Sequence, residues 1–133
     1  MIFEELYQEI ILDHYKMPRN YHVIENADCY QNGNNPLCGD NFTLFLKLKN
    51  DHIETISFQG SGCAISTASA SMMTDLLKNK TLKATKTLAR HFQEMLIKDT
   101  APETELLEEL MALHGVKKFP MRIKCAMLPW HTL

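Results

Sequence analysis

Three cysteines and one aspartate have the residue types and the surroundings of a metal site. Cys38 and Asp40 are separated by a single glycine, Cys63 ends a glycine-rich turn, and Cys125 lies close to the C-terminus. Each thiol therefore occupies a position where a loop, strand or helix is expected to begin. Three thiolates and one carboxylate form a four-coordinate set that suits Zn²⁺, or an iron–sulfur cluster with one hard oxygen ligand. The sequence thus points to metal and sulfur chemistry.

An inert structural zinc site is the competing interpretation of the same four residues. Structural sites usually carry paired cysteines two residues apart, and this chain has no such pair. Cys29 has no partner motif, so we interpret it as a small residue in a strand. His14 lies on the apolar side of a predicted helix, where a hydrogen-bonded core or interface histidine is expected. The other histidines show no ligand spacing to one another: His22, His52, His91, His114 and His131.

Length and composition exclude several classes of protein. The chain has 133 residues, and we expect residues 1–133 to form a single domain with a packed core, since 45% of them are hydrophobic. A net charge of −2 gives no basic surface for nucleic acid or an anionic membrane. No apolar run approaches the roughly 20 residues that span a bilayer. With no secretory leader pattern, a cytoplasmic protein is expected, where cysteines bind metal more often than they form disulfides.

Hydrophobic periodicity predicts a small sheet in the first half of the chain. Ile2 to about Tyr15 has the spacing of an amphipathic helix that Pro18 ends. Residues 41–49 alternate between apolar and polar side chains, and residues 53–58 continue as a second strand after a short turn. Residues 29–31 predict one further short strand, followed by a loop rich in Asn and Gly. Gly60 and Gly62 are expected to end the second strand.

The second half of the chain is predicted to be helical. Cys63 opens a helix of small residues that should pack closely on a neighbour at its N-terminal half. Further helices are predicted at about Leu82–Ile97, at about Glu103–Leu113, and from near Arg122 to the chain end. The fold class is therefore α+β, with a small antiparallel sheet of about three strands packed against several helices.

Four long motifs stand out along the chain. They are Leu12-Asp13-His14-Tyr15-Lys16-x-Pro18-Arg19-Asn20, Asn35-Pro36-x-Cys38-Gly39-Asp40, Gly60-x-Gly62-Cys63-x-Ile65-Ser66-x-Ala68-Ser69-Ala70-Ser71-Met72-Met73 and Phe119-Pro120-x-Arg122-Ile123-Lys124-Cys125-Ala126-x-Leu128. These motifs resemble the U-type iron–sulfur scaffold family, and within it the SufU branch of zinc-dependent sulfurtransferases. Lys124 stands where the cluster-scaffold branch, IscU, usually carries a histidine before the last cysteine, and Leu82–Leu113 is long enough for the extra helical segment of SufU.

The resemblance implies the U-type scaffold fold and a specific assignment of roles. Zn²⁺ would be bound by Cys38, Asp40, Cys63 and Cys125, and Cys38 would accept persulfide sulfur from a SufS-like cysteine desulfurase. Proteins acting later in cluster assembly are further expected partners. Arg122, on the same segment as Cys125, is a candidate catalytic residue that moderates the negative charge of the site. A scaffold that builds a [2Fe–2S] cluster on the same four ligands is the alternative.

Overall fold

The sheet and the helices follow one another along the chain in the predicted order. The structure is a computed structural model that describes residues 2–35, 39–97, 124 and 127–130. Its elements are α1 (Ile2–Lys16), β1 (Cys29–Asn35), β2 (Asp40–Lys49), β3 (His52–Ser61), α2 (Ala64–Leu77) and α3 (Leu82–Ile97), and residues 127–130 are also helical. The α+β class is confirmed. The helix predicted at Glu103–Leu113 and the start of the last predicted helix lie outside the described residues.

The three strands form one antiparallel sheet in the order β1-β2-β3. The alternation predicted for residues 41–49 is confirmed. Phe42 and Leu44 are buried and Leu46 and Leu48 pack against the same core, whereas Asn41 and Lys49 at the two ends are exposed. A register shift lies between Lys47 and Leu48, far from the start of β2. Within the described ranges, no helix combines the length and the apolar character that crossing a membrane requires.

Two strands are longer than the sequence predicted. The expected loop after residue 31 is strand as far as Asn35, which pairs with Asp40. β3 also continues through Gly60 to Ser61, so the prediction that Gly60 ends this strand was wrong, whereas Gly62 does follow its last residue. Pairing with β2 supplies the backbone hydrogen bonds that outweigh a poor local strand propensity. The φ of Gly60 is +137°, and a Cβ there would overlap the carbonyl of Asn41, so this position requires glycine.

The helix α2 is buried along most of its length, and most of its buried side chains are small. Every residue from 66 to 74 is buried, and the helix packs against β3 and α1. Serine and alanine allow the backbones to approach closely, which confirms the expectation for the N-terminal half of this helix. At the other side of the core the ring of Trp130 stacks on Phe92 with 4.8 Å between the ring centroids. This stacking fixes residues 127–130 against α3.

Hydrogen bonds tie the end of α1 to the middle of α2. Ser71 Oγ lies 2.7 Å from His14 Nδ1 and accepts the Arg19 amide at 2.8 Å. Asn20, with a left-handed φ of 58°, donates from its side-chain amide to Thr74 Oγ1 at 3.1 Å. We call these five residues the α1–α2 junction. His14 is only 1% exposed, which confirms its interpretation as a hydrogen-bonded core residue.

Candidate metal centre

The sheet brings Asp40 and Cys63 together although they are 23 residues apart. β2 begins at Asp40 and β3 ends at Ser61, and the pairing of Asn41 with Ser61 sets these two strand ends side by side. The backbone amide of Cys63 donates a hydrogen bond of 2.8 Å to Asp40 Oδ1. Two of the four predicted site residues therefore share one end of the sheet, held by a direct contact.

The carboxylate of Asp40 is buried and only half paired. Its side chain is 1% exposed, and its Oδ2 atom has no hydrogen-bond partner in the part of the chain that the structure describes. A buried carboxylate oxygen without a partner is costly, so such an atom calls for a cation or a donor that compensates it. An oxygen held in this way beside a cysteine fits one position of a zinc site.

Cys63 is the N-cap residue of α2, so its sulfur lies at the positive end of the helix dipole. Cys63 Sγ accepts the amide of Ser66 at 3.4 Å, in the place where a serine or aspartate oxygen usually caps a helix. The unpaired amides of a first helical turn stabilise negative charge. The side chain is half-buried, so a ligand can still approach it. The sequence predicted this helix start but not the capping contact.

Because Gly62 has no side chain, Asp40 Oδ1 and Ser66 Oγ can both lie close to its backbone. A Cβ at this position would lie 2.6 Å from Ser66 Oγ, 2.7 Å from Asp40 Oδ1 and 2.8 Å from Phe42 Cε2. Real side chains do not approach this closely, so the carboxylate and the hydroxyl converge over a residue that must have no side chain. From the sequence, Gly62 was interpreted only as a strand breaker. Its place directly before the thiol was the available signal.

Tyr21 holds the end of β3 from the outer side. Its hydroxyl donates to the carbonyl of Gly60 at 2.6 Å and accepts the Gly60 amide at 3.2 Å. Its ring packs edge-on against Phe58 with 5.1 Å between the ring centroids. These contacts use the backbone groups of Gly60 that β2 leaves unpaired, and they fix the strand end that leads to Cys63. Sequence reasoning missed Tyr21, because the contact spans 39 residues.

The structure does not describe the other three predicted site residues. Cys38, Cys125 and Arg122 lie outside the described residues, and Lys124 is helical and exposed. Cys29 begins β1 opposite Leu46, at the far end of the strand from Asp40, and is exposed. Among the described residues no group of three or more His, Cys, Asp or Glu side chains is placed to bind a metal ion. The described part of the chain thus contains two members of the predicted set and no rival cluster.

Known proteins resemble this chain over nearly its whole length. The family model of the NifU-like N terminal domain matches residues 6–126. The zinc-dependent sulfurtransferase SufU of Bacillus subtilis (strain 168) is 43% identical over 130 residues, which are 98% of this chain and 88% of that protein. The iron–sulfur cluster assembly scaffold protein IscU of Streptococcus pyogenes serotype M1 is 43% identical over 128 residues, 96% of this chain and 80% of that protein.

One solved structure resembles this chain in its fold as well as in its sequence. It is described as an iron–sulfur cluster assembly scaffold protein for the SUF system from Fervidobacterium islandicum AW-1. Its TM-score is 0.89 at 33% identity, and the match covers 97% of this chain and 94% of that chain. The U-type scaffold fold expected from the sequence motifs is therefore confirmed. On the family match and these similarities, the chain belongs to the family of NifU-like N-terminal domains.

Proposed function

We propose that this protein is a zinc-dependent sulfur acceptor, which takes persulfide sulfur from a cysteine desulfurase for the assembly of iron–sulfur clusters. The observation that carries the proposal is the buried, unpaired Oδ2 of Asp40 beside a cysteine that caps a helix. The SufU relative supports the same activity, since its name states both zinc dependence and sulfur transfer. The desulfurase is proposed to be SufS-like, and the site of action cytoplasmic.

The proposed zinc ligands are Cys38, Asp40, Cys63 and Cys125. Asp40 has one oxygen fixed by the Cys63 amide and the other available, so its metal-facing oxygen is set by the fold before any metal binds. Zinc, when bound, holds its thiolates deprotonated, which keeps them nucleophilic without redox chemistry. Three thiolates and a carboxylate leave the site net negative. Arg122, close in sequence to Cys125, is proposed to moderate that charge.

Cys38 is the proposed sulfur acceptor. Its thiolate attacks the outer sulfur of the desulfurase Cys–S–SH group, a new S–S bond forms at Cys38, and the S–S bond of the donor breaks. The desulfurase cysteine leaves as a thiolate, so one sulfur atom moves and no external oxidant or reductant is needed. Gly39 follows this cysteine in the sequence; its φ is left-handed at 73°, and a Cβ built on it would meet no described atom within 4 Å apart from its chain neighbours.

A scaffold for a [2Fe–2S] cluster is the second candidate, because the IscU relative is as similar in sequence as the SufU relative. Lys124 favours the zinc protein, since the scaffold branch usually has histidine at this place. Purification without air separates the two. We expect a colourless protein with one zinc per chain that raises desulfurase turnover. A brown protein with iron and sulfide and no effect on turnover would contradict the proposal.

The role of Asp40 is tested by Asp40→Cys in the same assays. A carboxylate is a harder ligand than a thiolate, and we propose that it keeps the site exchangeable so that Cys38 can leave the metal. The variant should bind zinc at least as tightly, measured by chelator competition, while desulfurase stimulation falls at least tenfold. Cys29→Ser is the control and should change neither value. Intact stimulation in Asp40→Cys would show that exchange does not depend on the aspartate.

A further inference from the structure

Ser66 presents two polar groups to the sulfur of Cys63. Its hydroxyl oxygen lies 3.5 Å from Cys63 Sγ, and its backbone amide donates to the same sulfur at 3.4 Å. The hydroxyl also donates to the carbonyl of Cys63 at 3.2 Å. Ser66 is fully buried, so water does not compete for these contacts. Among the described residues, Ser66 thus supplies both hydrogen-bonding groups recorded at this sulfur.

The Ser66 hydroxyl is buried and lies close to the backbone of Gly62. The oxygen lies 2.6 Å from the point where a Cβ on Gly62 would stand, and Asp40 Oδ1 lies 2.7 Å from the same point. The hydroxyl, the carboxylate and the sulfur therefore surround one glycine. Buried polar groups in such close packing have few alternative rotamers, so the hydroxyl is held ready to interact.

The single hydroxyl proton of Ser66 has two acceptors within reach. A Cys63 thiol can donate its own proton to Ser66 Oγ, and the hydroxyl then donates to the Cys63 carbonyl, as the 3.2 Å distance indicates. A sulfur bound to metal has no proton to give. The hydroxyl is then the group that can bridge the two side chains, and it does so by turning its proton to the sulfur.

We propose that Ser66, which is outside the proposed ligand set, is a positioning residue that orients Cys63 Sγ toward the metal and makes Cys63 an anchored ligand. The role rests on the zinc site proposed above. Two hydrogen bonds from one buried residue restrain the sulfur and take up part of its charge. Ligand exchange during sulfur transfer is thereby directed to another thiolate of the site.

The test compares Ser66→Ala with Ser71→Ala in the full-length protein. Both remove a hydroxyl from a fully buried serine of α2, but Ser71 bonds only to the α1–α2 junction. Loss of a hydrogen bond to a metal ligand typically weakens metal affinity about 10–100-fold, so Ser66→Ala should weaken zinc binding by that factor in chelator competition. The sulfur-to-metal absorption band of the Co²⁺-substituted protein should also shift. Ser71→Ala should lower thermal stability and leave both metal readouts unchanged.

The pair Ser66→Thr and Ser66→Val isolates the hydroxyl if Ser66→Ala does not fold. The two side chains have nearly the same shape, so Thr should keep tighter zinc binding than Val. Equal affinity of this pair, or an unchanged affinity and cobalt spectrum in Ser66→Ala, would overturn the role of Ser66. A wild-type protein that binds no zinc would instead refute the proposed function, so the two failures are distinguishable.

Discussion

Two polar clusters border the helix α2, and their atoms are paired to different degrees. At the α1–α2 junction, halfway along the helix, Ser71 Oγ contacts both His14 and the Arg19 amide, and Thr74 Oγ1 contacts Asn20 and the Arg19 carbonyl. At the first turn of the same helix, Cys63 and Ser66 meet Asp40, whose Oδ2 is buried without a partner in the described part of the chain. We call these three residues the metal-end cluster.

The two clusters differ in how their polar atoms are paired: the junction is paired within the protein, whereas the metal-end cluster has a buried carboxylate oxygen without a partner among the described residues. An unpaired buried polar group costs about 1–3 kcal/mol, and more when it is charged. Within the described ranges Ser57 Oγ, His91 Nδ1 and Trp130 Nε1 are also buried without a partner, but none of them belongs to a carboxyl group. Asp40 Oδ2 is therefore the carboxylate oxygen among these four buried atoms. The junction is paired within the protein, whereas the metal-end cluster contains a buried carboxylate oxygen that the proposed zinc would pair.

The largest effect is expected from Gly62→Ala, which acts on the metal-end cluster alone. The new Cβ would displace Ser66 Oγ, Asp40 Oδ1 or the ring of Phe42. We expect a loss of about 1–3 kcal/mol of unfolding free energy from overpacking, together with weaker zinc binding. Thermal unfolding and chelator competition measure the two effects.

Ala70→Val is the control for Gly62→Ala. It adds side-chain volume at a fully buried position of α2, about two turns from Cys63, so it should lower stability by about 1–3 kcal/mol and leave zinc binding unchanged. If Gly62→Ala bound zinc as tightly as the wild type, the close approach at this glycine would not matter for the metal, and the contrast between the two clusters would lose its basis.

An effect on stability alone, with no change in zinc binding, is expected from Ser71→Ala at the junction. The substitution removes the oxygen that His14 Nδ1 and the Arg19 amide share, which should lower the free energy of unfolding by about 1–3 kcal/mol. Ser57→Ala is the matched control, because it removes a buried hydroxyl with no partner among the residues that the structure describes and should change stability much less. Equal losses in the two variants, measured by denaturant unfolding, would contradict the structural role of the junction.

The smallest effect on stability is expected from removing the ion pair between Arg19 and Asp13, beside the junction. Arg19 donates to Asp13 Oδ2 at 2.6 Å, and this hydrogen bond lowers the pKa of Asp13 below its ordinary value of 3.8. A depressed carboxyl pKa stabilises the folded protein above the unfolded pKa, and the contribution is lost as pH falls through the folded pKa. Both side chains are partly exposed, so the contribution is small.

Asp13→Asn should therefore be slightly less stable than the wild type near neutral pH and equal to it in acid. Thermal unfolding of both proteins, stripped of metal so that Asp40 is not a ligand, measures the difference from about pH 6 to about pH 3. Asp75→Asn serves as a control for removal of an exposed carboxylate on another element, the helix α2. A difference that does not shrink as the pH falls would contradict the assignment of the ion pair.

Local sequence patterns were sufficient to predict the helices and strands that the structure describes. The alternation of residues 41–49, the helical spacing of α1 and α3, and the small residues of α2 each reflect one buried face, which side-chain order alone can reveal. The sequence failed at Asn32–Asn35 and at Gly60. There the strand is stabilised by pairing with β2, and a low local propensity gives no sign of a partner elsewhere in the chain.

By itself the sequence determined which residue types are available for the chemistry: three thiols, one carboxylate and the motifs around them. Only the tertiary structure decided that Asp40 binds the Cys63 amide with one oxygen and leaves the other buried and unpaired. It also revealed the space at Gly62, the hydroxyl of Ser66 and the brace from Tyr21. Burial and pairing depend on groups that lie far apart along the chain, so they arise only when β2, β3 and α2 come together.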